Sequence, residues 1–167
     1  CFVSINLPEA VRNNLAPLIS GLRKTGAEIK WTAPESIHIT LKFLGETDDT
    51  VAAGLRDALE KKIASYQSFC IKIAGIGYFP SPKRPRVVWV GIEDAGPLKD
   101  LAVAVDEATA GFGYPRETRQ FSPHLTIGRV RSMKGLAEAL RVLDRHASTE
   151  FGSITVTEIH IMKSDLK

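Results

Sequence analysis

Four side chains of this 167-residue chain have the types and spacing for work on a phosphate. His38 and Thr40 stand two apart in "SIHITLKFLGE" (36–46), and His124 and Thr126 repeat the arrangement in "SPHLTIGRV" (122–130). Both runs alternate apolar and polar residues, the pattern of a half-buried strand. Successive strand side chains point to opposite faces at about 3.3 Å per residue, so each histidine has its threonine roughly 6.5–7 Å further along the same face. Strict alternation places Ile37, Ile39, Leu41 and Phe43 on the opposite face and Lys42 with the His–Thr pair. In the second run Leu125, Ile127 and Arg129 take the face away from His124 and Thr126. One His-x-Thr is a weak signal. Two, both in strand patterns, are a stronger one.

Two imidazoles and two hydroxyls suit in-line displacement at a phosphodiester. That reaction needs a base on the attacking oxygen and an acid on the departing one, on opposite sides of phosphorus. Imidazole serves either role because its ordinary pKa lies near neutrality. Thr40 and Thr126 would donate hydrogen bonds to the non-bridging oxygens as charge builds. Arg129, a few residues beyond His124, reaches the phosphate only if the strand bends or bulges. No P-loop, GxGxxG or GxSxG sequence competes for the assignment. With two cysteines, no CxxC and no HExxH, neither a metal site nor another cofactor is expected. His146, near a helix C-terminus, and His160, alternating with isoleucines, read as structural.

The net charge of +3 is too mild to imply nucleic acid by itself. Its distribution is uneven: Lys83, Arg84 and Arg86 cluster in "PKRPR", and Arg116, Arg119, Arg129 and Arg131 surround the second His–Thr pair. Lys83 and Arg84 read as solvated loop charge. Apolar runs fall short of a bilayer span, and "CFVSINLP" has neither a basic n-region nor a cleavage site. Cys1 and Cys70 are too few for a disulfide framework, so the expectation is a cytoplasmic protein with no membrane association.

Elements that would hold the two pairs follow from periodicity. "CFVSINL" reads as a strand, and Pro8 opens a helix carrying Val11, Leu15, Leu18, Ile19 and Leu22, with Pro17 expected to kink it. "AEIKWT" and "SIHITLKFLG" are strands joined at Ala33-Pro34, and "DDTVAAGLRDALEKKIA" is a helix with Val51, Leu55, Leu59 and Ile63 in one stripe. "SFCIKIAGIGYF" and "RVVWVGI" are strands flanking "PSPKRP", followed by a helix with Leu98, Leu101, Val105 and Ala108 inward. Ser132 is positioned to cap a last helix bearing Leu136, Leu140 and Leu143, and "FGSITVTEIHIMKS" reads as one long alternating strand. In both halves a helix precedes the His-x-Thr strand and another follows it. The expected fold is α+β: a single bilobed domain over 1–167, two pseudo-symmetric lobes of antiparallel sheet with helices outside and the cleft between them.

With their flanks, these motifs resemble the two-histidine phosphoesterase superfamily, in its RNA 2′,3′-cyclic phosphodiesterase branch, also called 2′-5′ RNA ligases. The matching stretches are "CFVSINLPEAV", "HITLKFLGE", "GIGYFPSPKRPRVVWVGI", "RQFSPHLTIGR" and "IHIMKSDL". The resemblance implies opening of a terminal 2′,3′-cyclic phosphate on RNA to a 2′-phosphomonoester, without metal. It implies His38 as proton donor to the leaving 3′ oxygen, His124 as the base on water, and Thr40, Thr126 and Arg129 on phosphate. Phe43 and Phe79 are its candidates for base contact or cleft walls, with a core position the competing reading for each. RNA ends would be the partner, the chain would act as a monomer, and weak 2′-5′ ligation would accompany hydrolysis. The rival is a nucleotide- or RNA-binding module that holds phosphate in the same cleft without turnover.

Overall fold

A computed structural model describes residues 1–163. The final residues of the "IHIMKSDL" stretch lie outside the described residues. The elements run β1 (Phe2–Asn6), α1 (Glu9–Arg23), β2 (Ile29–Trp31), a 3₁₀ turn (Pro34–Ser36), β3 (His38–Phe43), α2 (Asp49–Ile63), β4 (Phe69–Phe79), β5 (Val87–Glu93), α3 (Gly96–Ala110), β6 (His124–Val130), α4 (Leu136–Asp144), β7 (Glu150–Val156) and β8 (His160–Met162). The strands form one antiparallel sheet in the order β7-β4-β5-β6-β3-β1-β8, with β2 beside the far end of β6. The α+β expectation holds.

The two lobes meet where β3 pairs with β6 through Ile39 and Leu125. Both side chains are fully buried on the helix-covered face, each adding roughly 1.5–3 kcal/mol of apolar burial. The outer layers exchange helices between the halves. α1 packs on β7 and α4, whereas α3 packs on β3 and α2. Each lobe is thus covered by one helix from either half. Val11, Leu15, Leu18, Ile19 and Leu22 of α1 and Leu98, Leu101 and Val105 of α3 are buried as their helical spacing requires. Pro17 lies within α1, which runs unbroken past it.

Two element boundaries differ from expectation. The closing segment is two strands: β7 pairs with β4 on one edge of the sheet and β8 with β1 on the other. Its alternation slips phase between Val156 and Ile159, and the chain crosses from edge to edge there. Helix α4 begins after Gly135, whose φ of 69° is the left-handed region that glycine adopts without strain. Ser132 instead accepts the Lys134 N–H at 3.2 Å and donates to Glu28 Oε2 at 2.5 Å, holding the turn before the helix. No helix of the described residues is long and apolar enough to cross a membrane.

Candidate active site

The register through Ile39 and Leu125 places His38 across from Thr126 and Thr40 across from His124 on the opposite face of the sheet. All four line one cleft. The two histidines are diagonal neighbours on adjacent strands, about 7–8 Å apart at their backbones by sheet geometry.

Each imidazole is held by the same device. Nδ1 of His38 donates to the Ser36 carbonyl at 2.9 Å, and Nδ1 of His124 donates to the Ser122 carbonyl at 2.7 Å. A carbonyl only accepts, so Nδ1 carries the proton in both rings. Nε2 is then the atom available for exchange. Among the described residues it has no protein partner in either ring. Aromatic rings fix the planes: Phe2 stacks on His38 at 4.6 Å, and Phe79 meets His124 edge-on at 4.9 Å with Trp89 behind it at 6.2 Å. Trp89 lies flat because its partner across the sheet is Gly77, where a Cβ would come within 2.0 Å of the indole.

Strict alternation fails at one equivalent point in each half. The pairing of β3 with β1 shifts between Val3 and Ser4, which leaves Leu41 as an extra residue. The pairing of β6 with β5 shifts between Val88 and Trp89, which leaves Ile127 as an extra residue. Each is a β-bulge three residues after its histidine, and a bulge re-aims every side chain beyond it. Lys42 therefore turns inward and Phe43 outward, the reverse of the alternation argument. Phe43 is 67% exposed in the cleft. Arg129 turns from the core face into the cleft by the same shift. The bulge on which its availability depended is present.

Lys42 is buried, with Nζ 2.6 Å from Asp106 Oδ1 of α3 and a further bond to the Pro115 carbonyl. Asp106 also accepts from Arg116 Nε at 3.0 Å and from the Glu117 backbone N–H at 3.1 Å. Burial favours the neutral acid, but these donors and the charges of Lys42 and Arg116 outweigh it and hold the Asp106 carboxyl below the usual carboxylate range. The cluster pins the loop that leads into Ser122 and His124. The cleft, of about 2090 Å³, extends from this loop across the histidines to the β4–β5 turn.

A family model for the 2′-5′ RNA ligase superfamily matches residues 11–167. The chain belongs to that superfamily. It is 30% identical over 165 residues to a protein of Methanothermobacter thermautotrophicus named RNA 2′,3′-cyclic phosphodiesterase, across 99% of this chain and 89% of the relative. An Aeropyrum pernix protein of the same name is 35% identical over 153 residues, across 91% and 86%. A crystal structure of E. coli LigT complexed with 3′-AMP superposes with a TM-score of 0.72 at 25% identity, covering 95% of this chain and 83% of that one.

Within this superfamily frame, the structure brings His38, Thr40, His124, Thr126, Arg129, Phe43 and Phe79 to one cleft. His146 and His160 stand elsewhere: the first bonds Thr149 Oγ1 at 3.3 Å, the second pairs with Glu158 at 3.2 Å. Sequence reasoning missed Phe2 and Trp89, whose contact with the histidines depends on strand neighbours far apart in the chain. It also read Arg84 as a solvated loop charge, whereas Arg84 lines the cleft.

Proposed function

We propose that this chain is a metal-independent RNA 2′,3′-cyclic phosphodiesterase. The observation that carries the reading is the matched pair of imidazoles. Both face one cleft from adjacent strands, and both are tied through Nδ1 so that Nε2 is left for proton exchange. The superfamily membership and the names of the relatives give the reaction class.

In this reading the ribose cyclic phosphate sits between the rings. His124 Nε2 takes a proton from water as the water oxygen attacks phosphorus. The bond from phosphorus to the 3′ oxygen breaks, and His38 Nε2 gives that oxygen its proton, leaving a 2′-phosphomonoester and a 3′ hydroxyl. Thr40 and Thr126 donate to the non-bridging oxygens, where charge accumulates, and Arg129 reaches the phosphate as a cation. Phe43 and Phe79 offer cleft walls for a base. A 5′ hydroxyl in place of water would give a 2′-5′ linkage, the weak ligation expected beside hydrolysis.

Both histidine strands come from one chain, so a monomer suffices. The same reading carries the expectation of a cytoplasmic location, Cys1 and Cys70 being too few for a disulfide framework.

The test is phosphorus NMR of an oligonucleotide ending in 2′,3′-cyclic phosphate, incubated with the protein in EDTA. A 2′-phosphomonoester is expected. Binding without turnover would leave only a phosphate-binding module, and a 3′-phosphate product would reverse the direction of opening.

A further inference from the structure

One end of the cleft carries cations with no carboxylate to match them. Arg129 pairs across the sheet with Val87 on one side and with Lys30 of β2 on the other. Like charges directly opposite in an antiparallel pair destabilise it, yet Lys30 and Arg129 stand opposite each other and point to the same face. Arg86, next to Val87, and Arg84, in the β4–β5 turn, line the cleft with Arg129, and Lys30 stands just outside that lining, beside Arg129. Among the described residues, none of Lys30, Arg84, Arg86 and Arg129 makes an ion pair. Glu28, two residues before Lys30, is engaged by Ser132 at 2.5 Å and by Lys134 at 3.8 Å. The opposite end is different. There Arg116 is paired with Asp106, and Glu46 and Glu117 join the lining.

We propose that Lys30, Arg84 and Arg86 form, beside Arg129, a second anion subsite that holds a phosphodiester of single-stranded RNA other than the one that reacts. Position supports a separate phosphate. Arg86, bonded through its carbonyl to Val130, stands one position past Arg129 on the side away from Thr126, and Arg84 lies further along in the β4–β5 turn. Four cations on one edge, one of them forced opposite another, are relieved by a polyanion crossing that edge. A mononucleotide fills the histidine site and leaves this edge empty, so the subsite makes the protein prefer oligonucleotide ends. This inference rests on the phosphodiesterase reading for its choice of ligand.

Two measurements separate the two. In the first, kcat/KM is compared for a 2′,3′-cyclic mononucleotide and for a pentanucleotide ending in the same group. The wild type and the Lys30→Gln, Arg84→Gln, Arg86→Gln triple variant are assayed side by side. All three side chains are exposed, and the thermal midpoint checks the fold. The pentanucleotide-to-mononucleotide ratio is expected to drop at least about tenfold, mostly through KM. The slope of log(kcat/KM) against log[salt] should shrink by about 0.7 for each phosphate the variant no longer neutralises. An unchanged ratio would overturn the subsite. In the second, fluorescence anisotropy follows binding of a labelled pentanucleotide bearing a terminal 2′-phosphate, with no turnover involved. Salt-sensitive binding weakened in the variant supports the subsite even if the wild type hydrolyses nothing, in which case only the catalytic reading falls. Equal binding by both proteins overturns the subsite however active the enzyme is.

Discussion

β3 and β6 are two versions of one device, and they diverge only past the bulge. Up to that point the match is close: a histidine tied through Nδ1 to the carbonyl two residues before it, a buried aliphatic, a threonine in the cleft, and a further buried aliphatic as the extra residue. Beyond the bulge β3 carries Lys42 and Phe43, whereas β6 carries Gly128 and Arg129. The inward position is a buried cation in one half and no side chain in the other. The outward position is an exposed aromatic in one and a guanidinium in the other. The lesson is a division of labour: in the proposed reaction the paired frame supplies one proton donor and one acceptor, and the residues past the bulge make the two cleft ends chemically different. Under that proposal a symmetric site gains a direction in which to seat an asymmetric substrate.

The sharpest way to break this comparison is to remove one histidine at a time. His38→Ala and His124→Ala should each lower the rate on a cyclic-phosphate substrate by ~10²–10⁴-fold, the range for a positioned acid or base. The double variant should lose much less than the product of the single losses, since both groups serve one step. If either single variant kept near-normal turnover, the two strands would be alike in geometry only.

Next in size is the buried lysine that only β3 possesses. Asp106→Ala leaves Lys42 with the Pro115 carbonyl and with Glu117 at 3.6 Å. Breaking a buried pair from one side costs about 3–5 kcal/mol, and those remaining partners put this case near the lower figure. Urea unfolding measures it directly. A loss under about 1 kcal/mol would mean that the cluster behaves as a surface pair.

These two halves also show where sequence reasoning reaches and where it stops. The four cleft residues are legible because residue type, strand alternation and a repeated spacing all agree at His38, Thr40, His124 and Thr126. Alternation then fails at Leu41 and Ile127, since a bulge is set by the partner strand: the shifts lie opposite Val3/Ser4 and Val88/Trp89. Alternation consequently assigns Lys42 and Phe43 to each other's faces, and Arg129 depends on a bend that its own strand does not announce. The break between β7 and β8 is visible as a phase slip after Val156, but continuous apolar character hides it. The walls of the cleft are the least legible part. Phe2, Trp89 and Arg84 meet the site through strand order, which no local pattern encodes.

The glycine at the inward position of β6 offers a smaller, more local test. A Cβ on Gly128 would lie 2.7 Å from the Trp31 ring and 2.8 Å from Ile29 Cγ2. Nothing the size of Lys42 fits there, and even alanine forces β2 outward. Gly128→Ala should cost about 1–3 kcal/mol as an overpacked contact. The denaturation midpoint should fall with the m-value unchanged. Lys30 and Trp31 share β2, so the same variant should also weaken oligonucleotide binding more than mononucleotide binding. Full stability in Gly128→Ala would show that the inward position tolerates a side chain in both halves, and the contrast between the strands would lose its steric basis.

The smallest effect is a difference in acid sensitivity. Asp106 has its carboxyl held below its ordinary value of 3.8, so the unfolded chain binds a proton there more readily than the folded one. Its stabilising contribution is complete above the unfolded value and fades as pH falls through the lower folded value. Asp106→Asn keeps the shape but cannot ionise, and the other carboxylates are common to both proteins. The gap in unfolding free energy between wild type and variant should therefore be constant near neutrality and narrow steadily below about pH 4. A gap that stays level from about pH 6 down to about pH 2.5 would mean that Lys42 draws nothing from the charge on Asp106. The buried lysine would then be held by the carbonyl of Pro115 and the neutral hydrogen bonds of the loop. In that case the two strands would differ past their bulges in shape alone, and the clamp on the loop leading to His124 would be insensitive to acid.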